Sequence, residues 1–252
     1  MSFAAVQRIL GILLTVFSLT LLPPFVLALL AQDGAAVAFA TAFALTLGVG
    51  ILSWLPVRGM KRELRLRDGF IVVVMFWTVL SAIGALPFVL ADNPHLSLTD
   101  AVFESVSGLT TTGATVITSL DGLPMSILYY RQQLQWLGGM GIIVLAVAVL
   151  PMLGIGGMQL YRAETPGPMK DNKLTPRITE TAKALWYIYL GLTIVCGFSY
   201  WMAGMSVFDA VGHAFSTVAI GGFSTHDASM GYFNSPLIDM IAVVFMFLAG
   251  VN

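Results

Sequence analysis

Residues 97–115 read SLTDAVFESVSGLTTTGAT, and residues 206–224 read SVFDAVGHAFSTVAIGGFS. Aligned without a gap, six of the 19 positions are identical: Ser97/Ser206, Asp100/Asp209, Ala101/Ala210, Val102/Val211, Ser107/Ser216 and Gly113/Gly222. The same offset of 109 residues pairs Trp77 with Trp186 and Gly141 with Gly250. Chance agreement between apolar stretches would fall on Leu, Val and Ala. Here it falls on Ser, Asp, Gly and Trp as well, so the chain holds two copies of one unit. Each copy opens with S-x-x-D, which reads as the start of a helix whose first turn is capped by a hydroxyl and an acid. Each then runs into a Thr- or Gly-rich segment, with apolar stretches on both sides.

Those flanking stretches place the units in a bilayer. Hydrophobic residues make up 58% of the 252 residues and charged residues only 10%, against roughly 25% in soluble domains. Mean hydropathy is +0.88. So few charges could not cover a soluble fold of this size. A spanning helix needs about 20 apolar residues. Residues 3–30, 35–55, 70–91, 128–153, 184–204 and 237–251 meet or approach that length, the last being the shortest. The first is too long for a cleaved leader, and Pro23-Pro24 marks a kink or an exit within it. The lone cysteine, Cys196, leaves no disulfide or cysteine metal site within the chain. A net charge of −1 gives no sign of a nucleic-acid partner.

The twelve Lys and Arg residues set an expected orientation. Arg58, Lys61, Arg62, Arg65 and Arg67 lie in one loop, Arg162, Lys170, Lys173, Arg177 and Lys183 in another, and Arg8 near the N-terminus. An even number of crossings separates these places, so they share a face, which the positive-inside rule makes cytoplasmic. Eight of the thirteen acids map to the opposite face: Asp33, Asp92, Asp100, Glu104, Asp121, Asp209, Asp227 and Asp239. Both units then start and finish on the cytoplasmic side, have the same orientation, and are related by an axis along the membrane normal.

Within each unit the short helix cannot be a further crossing, because 12 residues of helix cover only about 18 Å. It enters from outside and ends within the membrane, where the negative end of its dipole favours a cation. Residues 109–115 must climb back out. Irregular backbone at that depth is tolerated where it is buried in protein or lines a water-filled cavity. Gly113 and Gly222 admit positive φ, which lets carbonyls turn toward one axis, and carbonyl rings that replace a hydration shell are how potassium filters work. A re-entrant turn whose glycines serve packing alone is the plainer alternative.

At these residues the chain resembles the Trk/Ktr/HKT superfamily of potassium transporters, and within it the TrkH/TrkG-type membrane subunits. SGLTTTGAT at 107–115 is similar to that family's first filter and STVAIGGFSTH at 216–226 to its second. RQQLQWLGGMGIIVLAVAVLPMLGIGGMQLYRAETPGP at 131–168 is similar to the helix that follows the first filter and its cytoplasmic exit. The similarity extends over essentially the whole chain. It implies an all-α membrane protein of the bacterial cytoplasmic (inner) membrane with a cytoplasmic N-terminus. Two N-terminal spans (1–56) would precede potassium-channel-like repeats of span, pore helix, filter loop and span. The first repeat would occupy 69–160, a cytoplasmic linker 161–183, and the second repeat 184–252. It further implies filter residues Thr110, Thr111, Thr112, Gly113 and Ala114 in the first copy and Ala219, Ile220, Gly221, Gly222 and Phe223 in the second. K⁺ would be the transported ion, held mostly by backbone carbonyls, with no covalent cofactor. The implied partners are a cytosolic ring of TrkA-like nucleotide-binding regulatory subunits on the basic face, a second copy in a homodimer, and the lipid bilayer. Family members place four repeats around one pore. The two present here are therefore expected to be the N-terminal part of a longer chain, the second repeat cut short. Sodium-coupled potassium symport and a non-conducting scaffold are the alternatives to potassium uptake.

Other chemistry finds little support. Gly138-Gly139-Met140-Gly141 and Gly154-Ile155-Gly156-Gly157 follow no strand and precede no Lys, so they read as close helix packing and not as nucleotide loops. Ser224 lies in G-F-S-T, without the second Gly of a nucleophile elbow. Three scattered histidines lack ligand spacing. No enzyme is expected. Glu104, midway along the first short helix, reads as a carboxylate bonded to neighbouring loops. Arg131, at the outer start of a span, is expected to snorkel or to pair with an acid such as Asp121.

Overall fold

The structure, a computed structural model, describes residues 3–59, 66–141 and 178–251. These residues are helical, joined by loops and short 3₁₀ turns. The first span is Phe3–Ala31, broken into α1 (Phe3–Leu19) and α2 (Leu22–Ala31). Pro23 and Pro24 sit in the first turn of α2, where a missing N–H costs nothing. The expected kink is thus a break inside one span. The second span is α3 (Ala36–Trp54), continued by the 3₁₀ turn Leu55–Val57. It meets α1 where both helices are smallest: a Cβ on Gly11 would lie 2.8 Å from the Trp54 nitrogen, and one on Gly50 2.7 Å from Thr15 Oγ1. With no hydrophobic drive between helices in lipid, such small-residue approaches hold them together.

Helices α4 (Leu66–Gly84) and α5 (Leu86–Leu90) make the third span, bent just before Pro87. The bend frees the Gly84 carbonyl, which accepts the Tyr130 hydroxyl at 2.9 Å. The short helix α6 (Leu98–Leu109) follows, then α7 (Met125–Gly139). The second unit repeats the order as α8 (Ile178–Met202), α9 (Val207–Val218) and α10 (Pro236–Gly250). Each short helix packs between the two longer helices of its own unit, α6 on α4 and α7, α9 on α8 and α10, and α9 also leans on α7 of the first unit. One core joins α1–α7 around Ile9, Phe39, Phe76, Phe88 and Tyr130; a second joins α8–α10 around Tyr200, Ala214 and Phe245. Four helical stretches are long and apolar enough to cross a membrane, Phe3–Ala31, Ala36–Val57, Ile71–Leu90 and Lys183–Met202, with Pro236–Gly250 a shorter apolar one. Large apolar side chains such as Leu52, Ile188, Ile194 and Phe247 point outward, as lipid-facing helices require. The C-terminal part of the span expected at 128–153, the Gly154–Gly157 stretch, the basic linker from Arg162 to Arg177, and Lys61, Arg62 and Arg65 of the other basic loop lie outside the described residues.

Candidate functional site: two matched backbone segments

The S-x-x-D signatures start α6 and α9 as expected. The Ser97 hydroxyl accepts the Asp100 N–H at 3.2 Å and donates to the Asp100 carboxylate at 2.8 Å; Ser206 and Asp209 repeat this at 3.1 and 2.7 Å. The two helices end alike as well. The Thr110, Thr111 and Thr112 N–H groups donate to the carbonyls of Val106, Gly108 and Ser107 at 2.8, 3.0 and 2.9 Å. Ala219, Ile220 and Gly221 donate to Phe215, Thr217 and Ser216 at 3.1, 3.1 and 2.8 Å, the same three bonds 109 residues on. These bonds satisfy the amides by folding them back onto the helix end.

The backbone then alternates in hand. Thr110 has φ −86°, Thr111 +54° and Gly113 +77°, with Thr112 and Ala114 on the negative side. Ala219 has φ −76°, Ile220 +55° and Gly222 +85°, with Gly221 and Phe223 negative. Alternation of this kind lines successive carbonyls of an extended chain along one side, where a regular strand points them alternately to opposite sides. Among the described residues no donor bonds to the carbonyl oxygens of Thr110–Ala114 or Ala219–Phe223. In the first segment Thr110, Thr112 and Ala114 are exposed and Thr111 and Gly113 half-buried; in the second Ile220 and Gly222 are exposed and Ala219, Gly221 and Phe223 buried. The segments touch each other at Gly113, where a Cβ would collide with the Gly221 carbonyl oxygen. All ten residues singled out in the sequence therefore lie in two adjoining segments of equivalent conformation.

Behind each segment a polar residue of the short helix holds a hydroxyl. Glu104 accepts Thr115 Oγ1 at 2.9 Å and the Val116 N–H at 3.1 Å, and Thr115 Oγ1 accepts the Ile117 N–H at 3.1 Å. In the second copy His213, the counterpart of Glu104, bonds Ser224 Oγ at 3.0 Å, and Ser224 Oγ accepts the His226 N–H at 3.1 Å. His213 Nδ1 donates to the Asp209 carbonyl at 2.9 Å, which leaves Nε2 to accept the serine hydroxyl. The orienting group is thus a backbone carbonyl and not a carboxylate, so no Ser-His-Asp relay forms. Glu104 is bonded to the neighbouring loop, as its reading as a structural carboxylate anticipated. Among the described residues no group of three metal-binding side chains comes together.

Arg131 departs from its expectation. It neither snorkels nor meets Asp121. Helix α7 begins at Met125, so Arg131 lies well inside it, fully buried, with Nε donating to Glu104 at 2.8 Å. Its other nitrogens donate to the Ser224 carbonyl at 3.1 Å and to Thr115 Oγ1 at 3.2 Å, and its guanidinium lies 4.3 Å from the centre of the Phe223 ring. Two neighbours on α7 also reach the second unit: Gln135 Oε1 accepts the Phe223 N–H of the segment at 3.0 Å, and Gln132 accepts the hydroxyl of Ser216 in α9. These contacts explain why the second segment is the more covered. The polar run Arg131-Gln132-Gln133 followed by Gln135, in a helix otherwise apolar, was the sequence signal for this role, since polar side chains at membrane depth carry function or pair with one another. Gly138 and Gly139 do serve close packing: a Cβ on Gly138 would collide with the Leu109 carbonyl, and one on Gly139 would sit 2.7 Å from the Ala219 Cβ.

Beyond the two segments the units are tied again. Asp227 accepts the Leu120 N–H at 2.8 Å, and His226 donates to Asp121 at 2.7 Å while stacking on Tyr232 at 3.5 Å. The His226 bond holds the exposed Asp121 carboxyl below its ordinary value.

Residues 35–252 match the family described as TrkH, cation transport protein. The chain is 64% identical to the Trk system potassium uptake protein TrkH of Vibrio parahaemolyticus over 252 residues, and 59% identical to that of Escherichia coli K12; each match covers 100% of this chain and 52% of the relative. The Trk system potassium uptake protein TrkG of Escherichia coli K12 is 48% identical over 247 residues, 98% of this chain and 51% of the relative. The crystal structure of the potassium transporter TrkH from Vibrio parahaemolyticus superposes with a TM-score of 0.85 at 59% identity, over 100% of this chain and 50% of that one. The chain spans about half the length of the curated relatives it matches. A match over most of the chain, agreement in fold, and residues 110–114 and 219–223 lying within the matched region together establish that this multi-pass membrane protein, helical in its described residues and no enzyme, belongs to the TrkH cation transport family.

Proposed function

We propose that the chain forms part of a potassium uptake pathway, with Thr110–Ala114 and Ala219–Phe223 as two segments of its selectivity filter. One observation carries this reading: two adjoining segments share alternating φ signs, and their ten carbonyl oxygens receive no hydrogen bond from the described residues. Unbonded carbonyls held at a fixed spacing are what a dehydrating K⁺ needs in place of its water shell. K⁺ here is cargo, held by backbone oxygens. The names of the relatives, potassium uptake proteins, agree with that cargo.

In this reading the N-terminus is cytoplasmic, the membrane is the bacterial inner membrane, and the two units have one orientation about an axis along the membrane normal. The units are 69–160 and 184–252, with 1–56 as two preceding spans and 161–183 as a cytoplasmic linker. The basic loops at 58–67 and 162–183 form the face on which a cytosolic ring of nucleotide-binding subunits would dock, and two copies would form a dimer. Charge segregation supports the orientation.

Flux of ⁸⁶Rb⁺ and ²²Na⁺ into liposomes carrying the full-length protein tests the reading. Rb⁺ entry without Na⁺ is expected. Entry of neither ion would overturn it in favour of a scaffold, and Rb⁺ entry only in the presence of Na⁺ in favour of a symporter.

A further inference from the structure

The ion pair between Arg131 and Glu104 is buried inside a membrane protein, with both side chains at most 1% exposed. Such a pair costs desolvation on both partners and stabilises little by itself against apolar residues of the same shape. What it touches is therefore informative. Glu104 bonds the hydroxyl and the N–H that immediately follow the first carbonyl segment, at Thr115 and Val116. Arg131 bonds the Ser224 carbonyl, which immediately follows the second, and covers the ring of Phe223 at that segment's end. A single salt bridge thus holds the ends of both segments, which meet where Gly113 approaches Gly221.

The second unit has no such pair of its own. Its counterpart of Glu104 is His213, and its counterpart of Arg131, 109 residues on, is Met240, which is 59% exposed. Yet α9 ends with the same three backbone bonds and the same alternation of φ as α6. The second segment takes the same shape without an ion pair in its own unit, its end held instead by Arg131 of the first unit at the Ser224 carbonyl. The charged version adds a tie between segments.

We infer that Arg131 and Glu104 are positioning residues that set the distance between the two carbonyl segments, and through it the discrimination between K⁺ and the smaller Na⁺. The inference rests on the filter reading above. Neither side chain touches the ion. A forked guanidinium fixes direction as well as distance, and a site that sorts cations by size needs its ligands held to within about 0.5 Å.

The test is a transplant of the second unit's residues into the first, Glu104→His with Arg131→Met, in the full-length protein, with Arg131→Lys alongside. Lysine keeps the charge but cannot bond Glu104, Thr115 and Ser224 together. The readouts are the ⁸⁶Rb⁺ to ²²Na⁺ flux ratio in liposomes and the yield of folded protein in size-exclusion chromatography. Folded protein with a Rb⁺/Na⁺ ratio lowered about tenfold, which corresponds to about 1.4 kcal/mol of discrimination, is expected for both. An unchanged ratio in folded protein would overturn the inference. So would failure of the double variant to fold, since the pair would then be a requirement of the unit. If the unaltered protein itself passed neither ion, the fault would lie with the filter reading.

Discussion

Gly113 and Gly222 occupy equivalent positions, but their surroundings are not equivalent. Both have φ in the left-handed region, +77° and +85°, where a side chain costs roughly 1–2 kcal/mol. A Cβ on Gly222 meets nothing within 4 Å, whereas one on Gly113 runs into the Gly221 carbonyl and comes within 3.6 Å of the Gly222 Cα. Gly113→Ala bears strain and collision, Gly222→Ala strain alone. In the full-length protein Gly222→Ala is expected to fold and keep measurable selective Rb⁺ flux. Gly113→Ala is expected to lose selectivity by about tenfold more. Equal Rb⁺/Na⁺ ratios in the two variants would count against the contact between segments. The glycines were readable in the sequence because only glycine takes φ > 0 without penalty. Thr111 and Ile220 were not, because nothing in their identity announces φ of +54° and +55°. A β-branched residue there is an outlier, and strain of that kind persists where the surrounding structure imposes it. The bonds of their N–H groups to Gly108 and Thr217 are part of that imposition.

Helices α6 and α9 show which elements a local signature can specify. S-x-x-D located both starts to the residue, because the cap is a bond between groups three positions apart. Ser97→Ala and Ser206→Ala are each expected to lower stability by about 1 kcal/mol. The two losses should be nearly additive, since the caps belong to separate units and share no partner. Melting temperatures of the single and double variants in detergent check this, with Ser119→Ala, which caps no α-helix, as the reference. A double variant no less stable than either single one would contradict it. Helix α7 is the opposite case. Its start was legible to within three residues, 128 against Met125, but its contacts were not: Arg131, Gln132 and Gln135 reach partners 84 to 93 positions away in the other unit. Matching the copies to each other cannot reveal what lies between them. Pairing Arg131 with Asp121 failed because Asp121 is held by His226 of the other unit and Arg131 by Glu104 of its own.

Charge is unevenly placed along the sequence, and the expected consequence is topological. Eleven of the twelve basic residues fall at the N-terminus or in the two loops around 58–67 and 162–183, and the twelfth, Arg131, is buried in an ion pair. Short-loop Lys and Arg resist translocation, so those loops are expected inside and the tied outer loops, with Leu120–Gly122 and Ser229–Phe233, outside. The two tied loops must share a face whatever the orientation, because Asp121 meets His226 and Leu120 meets Asp227. That leaves one binary question for experiment. Replacing Cys196, the single cysteine and fully buried, by Ala provides a blank background. Single cysteines at Gly59, Lys170, Gly122 and Ala228 then sample both faces. With an impermeant maleimide on intact spheroplasts, Gly122→Cys and Ala228→Cys are expected to label, and Gly59→Cys and Lys170→Cys only after the membrane is opened. The reverse pattern would invert the molecule. The carbonyl segments would then follow helices that enter from the cytoplasm, and the directional part of the uptake proposal would fall with the orientation.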